Sequence, residues 1–206
     1  MIAAVIFDVF GTLLEIRNRQ NPYRQLLRIG AKQGRRASPN DLRLIMALSG
    51  GLRDAADAFG ISLSSAELAS LECMLELELA SIRPFDDAMP AIELLQKQEI
   101  KVAACSNLAG PYCVKVRSLL PVLDGYALSA ELGLLKPDPG MYRSTYSMLG
   151  ILPGQEKPEQ VAMIGDSRRC DELGPRALGI QGYHLDRTGG GRFRDVFSFA
   201  KVMTGR

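Results

Sequence analysis

Residues able to do chemistry fall at the ends of short apolar runs in this chain. The run at 3–7 stops at Asp8, with Gly11 and Thr12 just beyond, and the run at 101–105 stops at Ser106 and Asn107. The run at 160–164 leads into Asp166 and Ser167, with Asp171 five residues after Asp166, and a loop after the run at 126–130 holds Lys136 and Pro137. An acid that ends a wholly apolar strand is costly to place unless it is used, because its charged form loses water there. A carboxylate so placed can attack phosphorus or carbon and form a covalent intermediate, dividing one hard displacement into two easier ones. A nearby lysine supplies a compact positive charge where an anionic substrate and an anionic nucleophile would otherwise repel each other. Each of these residues is common in loops; all of them together, at successive strand ends, point to one site.

The elements that must carry these residues follow from the apolar pattern. Runs at 3–7, 101–105, 126–130, 160–164 and 180–185 are short and apolar on both faces, as in buried strands of a parallel sheet. Helical patterns at about 88–98, 110–119, 139–149 and 170–178 lie between the later runs, so strand and helix alternate as in a doubly wound α/β domain. Residues 8–100 separate the first two strands, far more than one crossover helix needs. Residues 16–82 fill that gap with helical patterns: Tyr23, Leu26 and Leu27; then Leu42, Ile45 and Met46. After the turn Phe59-Gly60-Ile61 come Leu68, Leu71, Leu75, Leu79 and Ile82 at three- and four-residue spacing, opened by a capping box of Ser64 and Glu67. Arg83-Pro84 ends the unit. The expectation is an α-helical cap domain inserted as residues 16–83, with the core built from 1–15 and 84–206. The glycines at 189–191 are expected to loop out, and 193–202 to form a short final helix.

A chain of 206 residues, 47% hydrophobic and 23% charged, has the balance of a globular protein with one sizeable core and a smaller appendage. The net charge is +2 and the only basic pairs are Arg35-Arg36 and Arg168-Arg169, which argues against nucleic acid as the main ligand. Cys73, Cys105, Cys113 and Cys170 form no C-x-x-C pair and read as reduced, packed thiols. The first apolar run is too short for a signal peptide or a membrane span, so a cytoplasmic location without membrane association is expected. No feature of the sequence bears on oligomeric state.

The order of the motifs resembles that of the haloacid dehalogenase-like superfamily, across core and cap alike. The matching stretches are Asp8-Val-Phe-Gly-Thr12, Ser106-Asn107, Lys136-Pro-Asp-Pro139 and Gly165-Asp-Ser-Arg-Arg-Cys-Asp171. The resemblance implies a Rossmann-like core and a hydrolase in which Asp8 is the nucleophile, Ser106 binds the transferred group, and Lys136 neutralises developing charge and orients Asp8. It further implies Gly11, Thr12 and Asn107 as substrate contacts. Mg²⁺ would be held by Asp8, Asp166 and the backbone carbonyl of Phe10, with Ser167 and Asp171 in support. Two carboxylates at neighbouring strand ends suit Mg²⁺, which takes hard oxygen ligands and keeps waters and substrate phosphate in its shell.

Phe10 departs from the phosphatase pattern of that superfamily, which has a second acid there. Side chains alternate along a strand, so residues 8 and 10 share a face, and the usual acid protonates the leaving alkoxide and then activates water. Phe10 does neither, and such general acid–base help is typically worth about 10²–10⁴-fold. The aromatic at this position, Ser106-Asn107, and Tyr142 six residues after Lys136 resemble the dehalogenase branch, where halide departs without a proton. Asp166 and Asp171 resemble instead the metal-binding phosphatase form, and an unpaired Asp166 beside Asp8 would repel a haloacid carboxylate. The reading that follows is a Mg²⁺-dependent phosphohydrolase of small phosphorylated metabolites, restricted to leaving groups that need little protonation, such as acyl or aryl phosphates. A metal-independent 2-haloacid dehalogenase, with Arg24, Arg43 or Arg53 serving the halide, and a phosphate-binding regulatory module with little turnover stand as alternatives. His184, the one histidine, is read as structural.

Overall fold

The computed structural model describes residues 2–151 and 157–206. In chain order the strands are β1 Ala4–Phe7, β2 Leu14–Ile16, β3 Ile82–Pro84, β4 Lys101–Ser106, β5 Gly125–Leu128, β6 Val161–Gly165 and β7 Gln181–His184. The helices are α1 Pro22–Lys32, α2 Asp41–Ala47, α3 Leu52–Ala58, α4 Ser65–Ala80, α5 Ala88–Gln96, α6 Gly110–Leu119, α7 Ser129–Leu132, α8 Pro139–Met148, α9 Gly174–Arg176 and α10 Val196–Met203.

Five strands form one parallel sheet in the order β5-β4-β1-β6-β7. The central strand β1 is buried throughout, and its alternation divides the core in two. Val5 and Phe7 face a cluster with Ile92 and Leu95 of α5 and Phe199 of α10, while Ala4 and Ile6 face Met141, Tyr142 and Tyr146 of α8. Helices on both faces explain why these strands are apolar on both sides. The register fixes where polar residues emerge. Phe7 lies opposite Ala104 and Ile164, so Asp8 leaves the sheet beside Cys105 and Gly165, within reach of the Ser106 hydroxyl.

Helices α1 to α4 occupy the chain between β2 and β3. The box that opens α4 is formed: Ser64 Oγ accepts from Glu67 N at 3.2 Å, and Glu67 Oε2 accepts from Ser64 N at 2.9 Å. Reading 16–82 as wholly helical is corrected at both ends, because β2 and β3 pair antiparallel, with Ile16 opposite Ile82. Three-residue strands leave too little alternation to be seen in a sequence. The run at 126–130 is a strand only to Leu128; Ser129 starts α7, its hydroxyl donating to Met46 O at 2.6 Å. The segment 170–178 is one π-helical turn, Arg168–Leu173, followed by the short α9, and the glycine and proline at 174–175 weaken regular helix there. The glycines at 189–191 loop out as expected, and the loop is held in place. The Asp186 carboxylate gathers the backbone N–H groups of Thr188, Gly189 and Gly190, and Arg194 donates to Gly189 O.

Cys73, Cys105, Cys113 and Cys170 are free thiols. Among the described residues, no helix is long and apolar enough to cross a membrane.

The connection from α1 to α2 is held by an ion pair. Arg35 donates twice to the buried Asp41, at 2.5 and 2.9 Å, Ser38 N donates a third bond, and the guanidinium lies 4.5 Å from the Phe59 ring centroid. The hydrogen bonds from Arg35 hold the Asp41 carboxyl down at about 2. A depressed carboxyl adds stability that is complete above its unfolded value near 4 and lost as pH falls toward 2. Asp41→Asn is expected to destabilise the protein by about 1–3 kcal/mol at pH 7. In denaturant titrations the gap between variant and parent should narrow from pH 4 downward; an equal gap at pH 7 and pH 3 would contradict this.

Candidate active site

The carboxyl ends of β1, β4 and β6 place Asp8, Ser106 and Asp166 along one edge of the sheet, and the loop between α7 and α8 brings Lys136 among them. Lys136 Nζ lies 2.7 Å from Asp8 Oδ1 and 2.7 Å from Asp171 Oδ1. All three residues are buried, Asp171 completely. Burial alone would drive the Lys136 ammonium toward its neutral form, but the two carboxylates outweigh it and hold its pKa well above the ordinary lysine value. Burial pushes the Asp171 carboxyl up, against the opposing pull of Lys136.

The surrounding groups fix this arrangement. Ser106 donates its hydroxyl to Asp8 Oδ1 at 2.9 Å. The side chain of Asn107 holds the lysine's own backbone, accepting from Lys136 N at 2.7 Å and donating to Lys136 O at 3.0 Å. Ser167 N donates to Asp171 Oδ2 at 2.9 Å, and Tyr142 donates to Cys170 O at 2.6 Å. His184 Nε2 is 3.1 Å from Asp166 O, bracing the strand end. Gly165 permits the close approach: a Cβ there would lie 2.3 Å from Asp171 Oδ2 and 2.6 Å from Asp8 Cβ. Gly11, at φ +82°, does the same for Asp166, whose Oδ2 would be 2.2 Å from an added Cβ.

Asp8, Phe10, Ser106, Asn107, Lys136, Asp166, Ser167 and Asp171 line one cavity of about 240 Å³, which Met46 of α2 helps to close. Thr12 is not among them. The N–H groups of Thr12, Leu13 and Leu14 all turn back onto Val9 O, which draws the Thr12 side chain inward, fully buried, its hydroxyl without a partner among the described residues. Gly11 meets the site through Asp166 and not through the cavity wall.

The oxygens at the site fit a hard cation. Carboxylate oxygens of Asp8, Asp166 and Asp171 come within 4.8 Å of one another. Both oxygens of Asp171 are already engaged, by Lys136 and Ser167, as is Asp8 Oδ1, by Lys136 and Ser106. Asp8 Oδ2 and the exposed Asp166 carboxylate have no donor from another residue among the described residues, and these are the oxygens free to hold an ion such as Mg²⁺. Desolvation and the Asp8 charge raise the Asp166 pKa, the expected response of two neighbouring carboxylates without a counter-charge between them.

A model of the haloacid dehalogenase-like hydrolases matches residues 2–179, so the whole helical segment and the core as far as α9 are covered. The chain belongs to the haloacid dehalogenase-like hydrolase family. Two members of the fold match it end to end. A HAD phosphatase from Thermococcus onnurineus superposes with a TM-score of 0.67 at 21% identity, over 100% of this chain and 99% of that one. An L-2-haloacid dehalogenase from Xanthobacter autotrophicus superposes at 0.65 with 16% identity over the same shares. These likenesses carry the fold and do not choose between the two chemistries. A phosphoserine phosphatase from Thermus thermophilus is 35% identical over 60 residues, which are 29% of this chain and span only 22% of that enzyme.

Arg187 escapes a reading of the sequence, because nothing local marks it and the residues it holds lie at the other end of the chain. Its Nε donates to Gly11 O at 3.2 Å, and its Nη2 to Thr12 O at 2.6 Å and to Asp87 Oδ1 at 3.1 Å, with the guanidinium 3.8 Å from the Phe85 ring centroid. Asp87 in turn accepts from Val196 N at 2.6 Å, at the start of α10. The turn after Asp8 is thereby fastened to two core helices. Arg187→Leu leaves Asp87 without its cation and is expected to cost about 2–4 kcal/mol of stability. Turnover of any substrate the parent accepts should fall more than KM rises. Arg187→Lys should recover stability better than turnover, since an ammonium cannot span both carbonyls. Unchanged melting temperature and kcat in the leucine variant would contradict this.

Proposed function

We propose that this hydrolase is a Mg²⁺-dependent phosphohydrolase using Asp8 as its nucleophile, acting on small phosphorylated molecules whose leaving group needs little protonation. The observation that carries the reading is the charge at the site. Asp8, Asp166 and Asp171 against Lys136 leave two formal negative charges in a cavity that must receive an anion. An anionic substrate is repelled from such a site unless a divalent cation joins it. A dehalogenase that works without metal has no use for Asp166.

In this reading Lys136 and Ser106 hold Asp8 with one oxygen pinned and the other directed at phosphorus. The Asp8 oxygen forms a bond to phosphorus as the bond to the leaving oxygen breaks, and the electron pair departs with that oxygen. Lys136 and Ser106 then face the oxygens of the transferred phosphoryl group and stabilise their charge. Water attacks the phosphoaspartate at phosphorus, releasing inorganic phosphate and restoring the carboxylate. Asp8, Asp166 and the Phe10 carbonyl would hold Mg²⁺, which would supply charge neutralisation for the phosphoryl oxygens. Asp171 braces Lys136, and Asn107 fixes its backbone. The helical segment at 16–83 acts as a cap over the site, reaching it through Met46. The unpaired thiols accord with a cytoplasmic setting.

A dehalogenase reading draws on one observation, the aromatic ring of Phe10 in the cavity wall, where halide could leave without a proton. Chloride release from 2-chloropropionate in the presence of a chelator separates the two.

Acetyl phosphate and p-nitrophenyl phosphate should be hydrolysed only with Mg²⁺ and not by Asp8→Asn. No metal-dependent turnover of either, or a variant as active as its parent, would overturn the proposal. Phe10→Asp restores an acid where the leaving group departs and is expected to raise alkyl phosphate hydrolysis by roughly 10²-fold. The same change removes an aromatic ring that packs edge-on to Tyr112, at 5.7 Å between centroids. It should therefore lower stability by about 1–3 kcal/mol.

A further inference from the structure

A second cavity, of about 280 Å³, lies beside the catalytic one and shares Phe10, Met46 and Asn107 with it. Its remaining wall is largely apolar and aromatic, with Tyr23 of α1, Ile45 of α2 and Tyr112 of α6. The Phe10 ring meets Tyr112 at 86°, so the residue that replaces the usual acid forms part of an aromatic wall continuous with the reacting centre.

One acid lines this cavity, and it is spoken for. Glu78 is 6% exposed, and its carboxylate accepts from Tyr112 Oη at 2.8 Å and from the backbone N–H groups of Gln20 and Asn21 at 2.6 and 2.7 Å. Its charge is spent on holding the aromatic wall and the start of α1 in place. Arg19 and Arg24 line the same cavity, and neither makes an ion pair or a hydrogen bond among the described residues. The result is an aromatic slot that adjoins the catalytic cavity at Phe10, Met46 and Asn107, with two uncommitted cations along it.

We infer that this cavity receives the leaving group, and that the leaving group is a flat aromatic body bearing a second anionic group, such as a carboxylate. The inference rests on the reading of Asp8 as a nucleophile at phosphorus. Two independent features then point the same way. Without an acid at position 10 the leaving oxygen must depart as an anion, and an arene oxygen carries that electron pair far better than an alkyl one. The slot beside position 10 has the aromatic surface to hold an arene and the positive charge to recognise its far end. In the step itself the Asp8–phosphorus bond forms, the phosphorus–aryl oxygen bond breaks, and the phenoxide takes the electron pair into the slot.

The test compares kcat/KM of the full chain with Mg²⁺ for ethyl phosphate, phenyl phosphate and 4-carboxyphenyl phosphate. Phenyl phosphate should be used in preference to small alkyl phosphates, and the carboxylated ester about tenfold better than phenyl phosphate, the worth of one charge-assisted hydrogen bond. In Arg19→Gln/Arg24→Gln the ratio between the carboxylated and plain aryl esters should collapse toward one. Because a para carboxylate also makes the leaving group slightly more acidic, the loss of the ratio in the variant is the deciding quantity. A ratio unchanged by the double substitution overturns the inference while leaving the phosphohydrolase reading intact. If none of the three esters is hydrolysed, titration calorimetry with the product 4-hydroxybenzoate separates the failures. Binding weakened about tenfold in the double variant upholds the slot and overturns only the hydrolase reading, whereas no binding overturns the slot as well.

Discussion

The buried ammonium of Lys136, held between Asp8 and Asp171 at 2.7 Å from each, is the contact on which the rest of the site depends. Two carboxylates cannot share a water-poor pocket as anions without a positive charge between them, and a buried lysine cannot stay charged without carboxylates. Each partner makes the others tenable. The fold then builds outward from this cluster. Asn107 at the end of β4 grips the lysine backbone, Ser106 shares Asp8 Oδ1, Ser167 N holds the far oxygen of Asp171, and Gly165 leaves the space that both acids need. A strand end, a loop and a π-helical turn from distant parts of the chain are thereby tied to one nitrogen.

That cluster also decides what the site still lacks. Lys136 is committed to two acids, and among the described residues Asp166 makes no ion pair, so burial and the Asp8 charge outweigh the more distant pull of Lys136 and His184 on it. The imbalance is the physical argument for a divalent cation, and through it for phosphoryl chemistry over dehalogenation. Phe10 then takes on a positive meaning. In the proposed reading it removes the group that would transfer a proton, and its ring, which lines the catalytic cavity, joins Tyr112 in the wall of the neighbouring aromatic cavity. In that reading, loss of an acid and gain of a surface are one substitution, and both would favour leaving groups that depart as stable anions.

Much of this was legible in the sequence where a short pattern carries a strong constraint. The wholly apolar run before Asp8 had to be a buried central strand, and Ser64 with Glu67 had to open a helix; both follow from local chemistry. Asp8, Ser106 and Asp166 could be singled out because each sits just past such a run, and Lys136 because it lies in the loop that follows one. Thr12 adjoins the nucleophile in sequence, and only the fold shows that the turn onto Val9 O carries its side chain into the core. What could not be read were contacts between residues far apart with no local signature. Arg187 on the carbonyls of Gly11 and Thr12, the β2–β3 pairing, and buried Glu78 beneath Tyr112 belong to this class. An arginine or glutamate in a polar stretch reads as surface until the fold shows what it faces.

The central claim is that Asp8 becomes covalently bonded to phosphorus during turnover. The direct measurement is rapid acid quenching of the protein during reaction with acetyl phosphate and Mg²⁺, followed by mass spectrometry of the peptide that contains Asp8. The account predicts a phosphoryl adduct on Asp8 that appears within the first turnover and decays as substrate is exhausted. Turnover with no adduct at Asp8, or with the phosphoryl group on another residue, would contradict it.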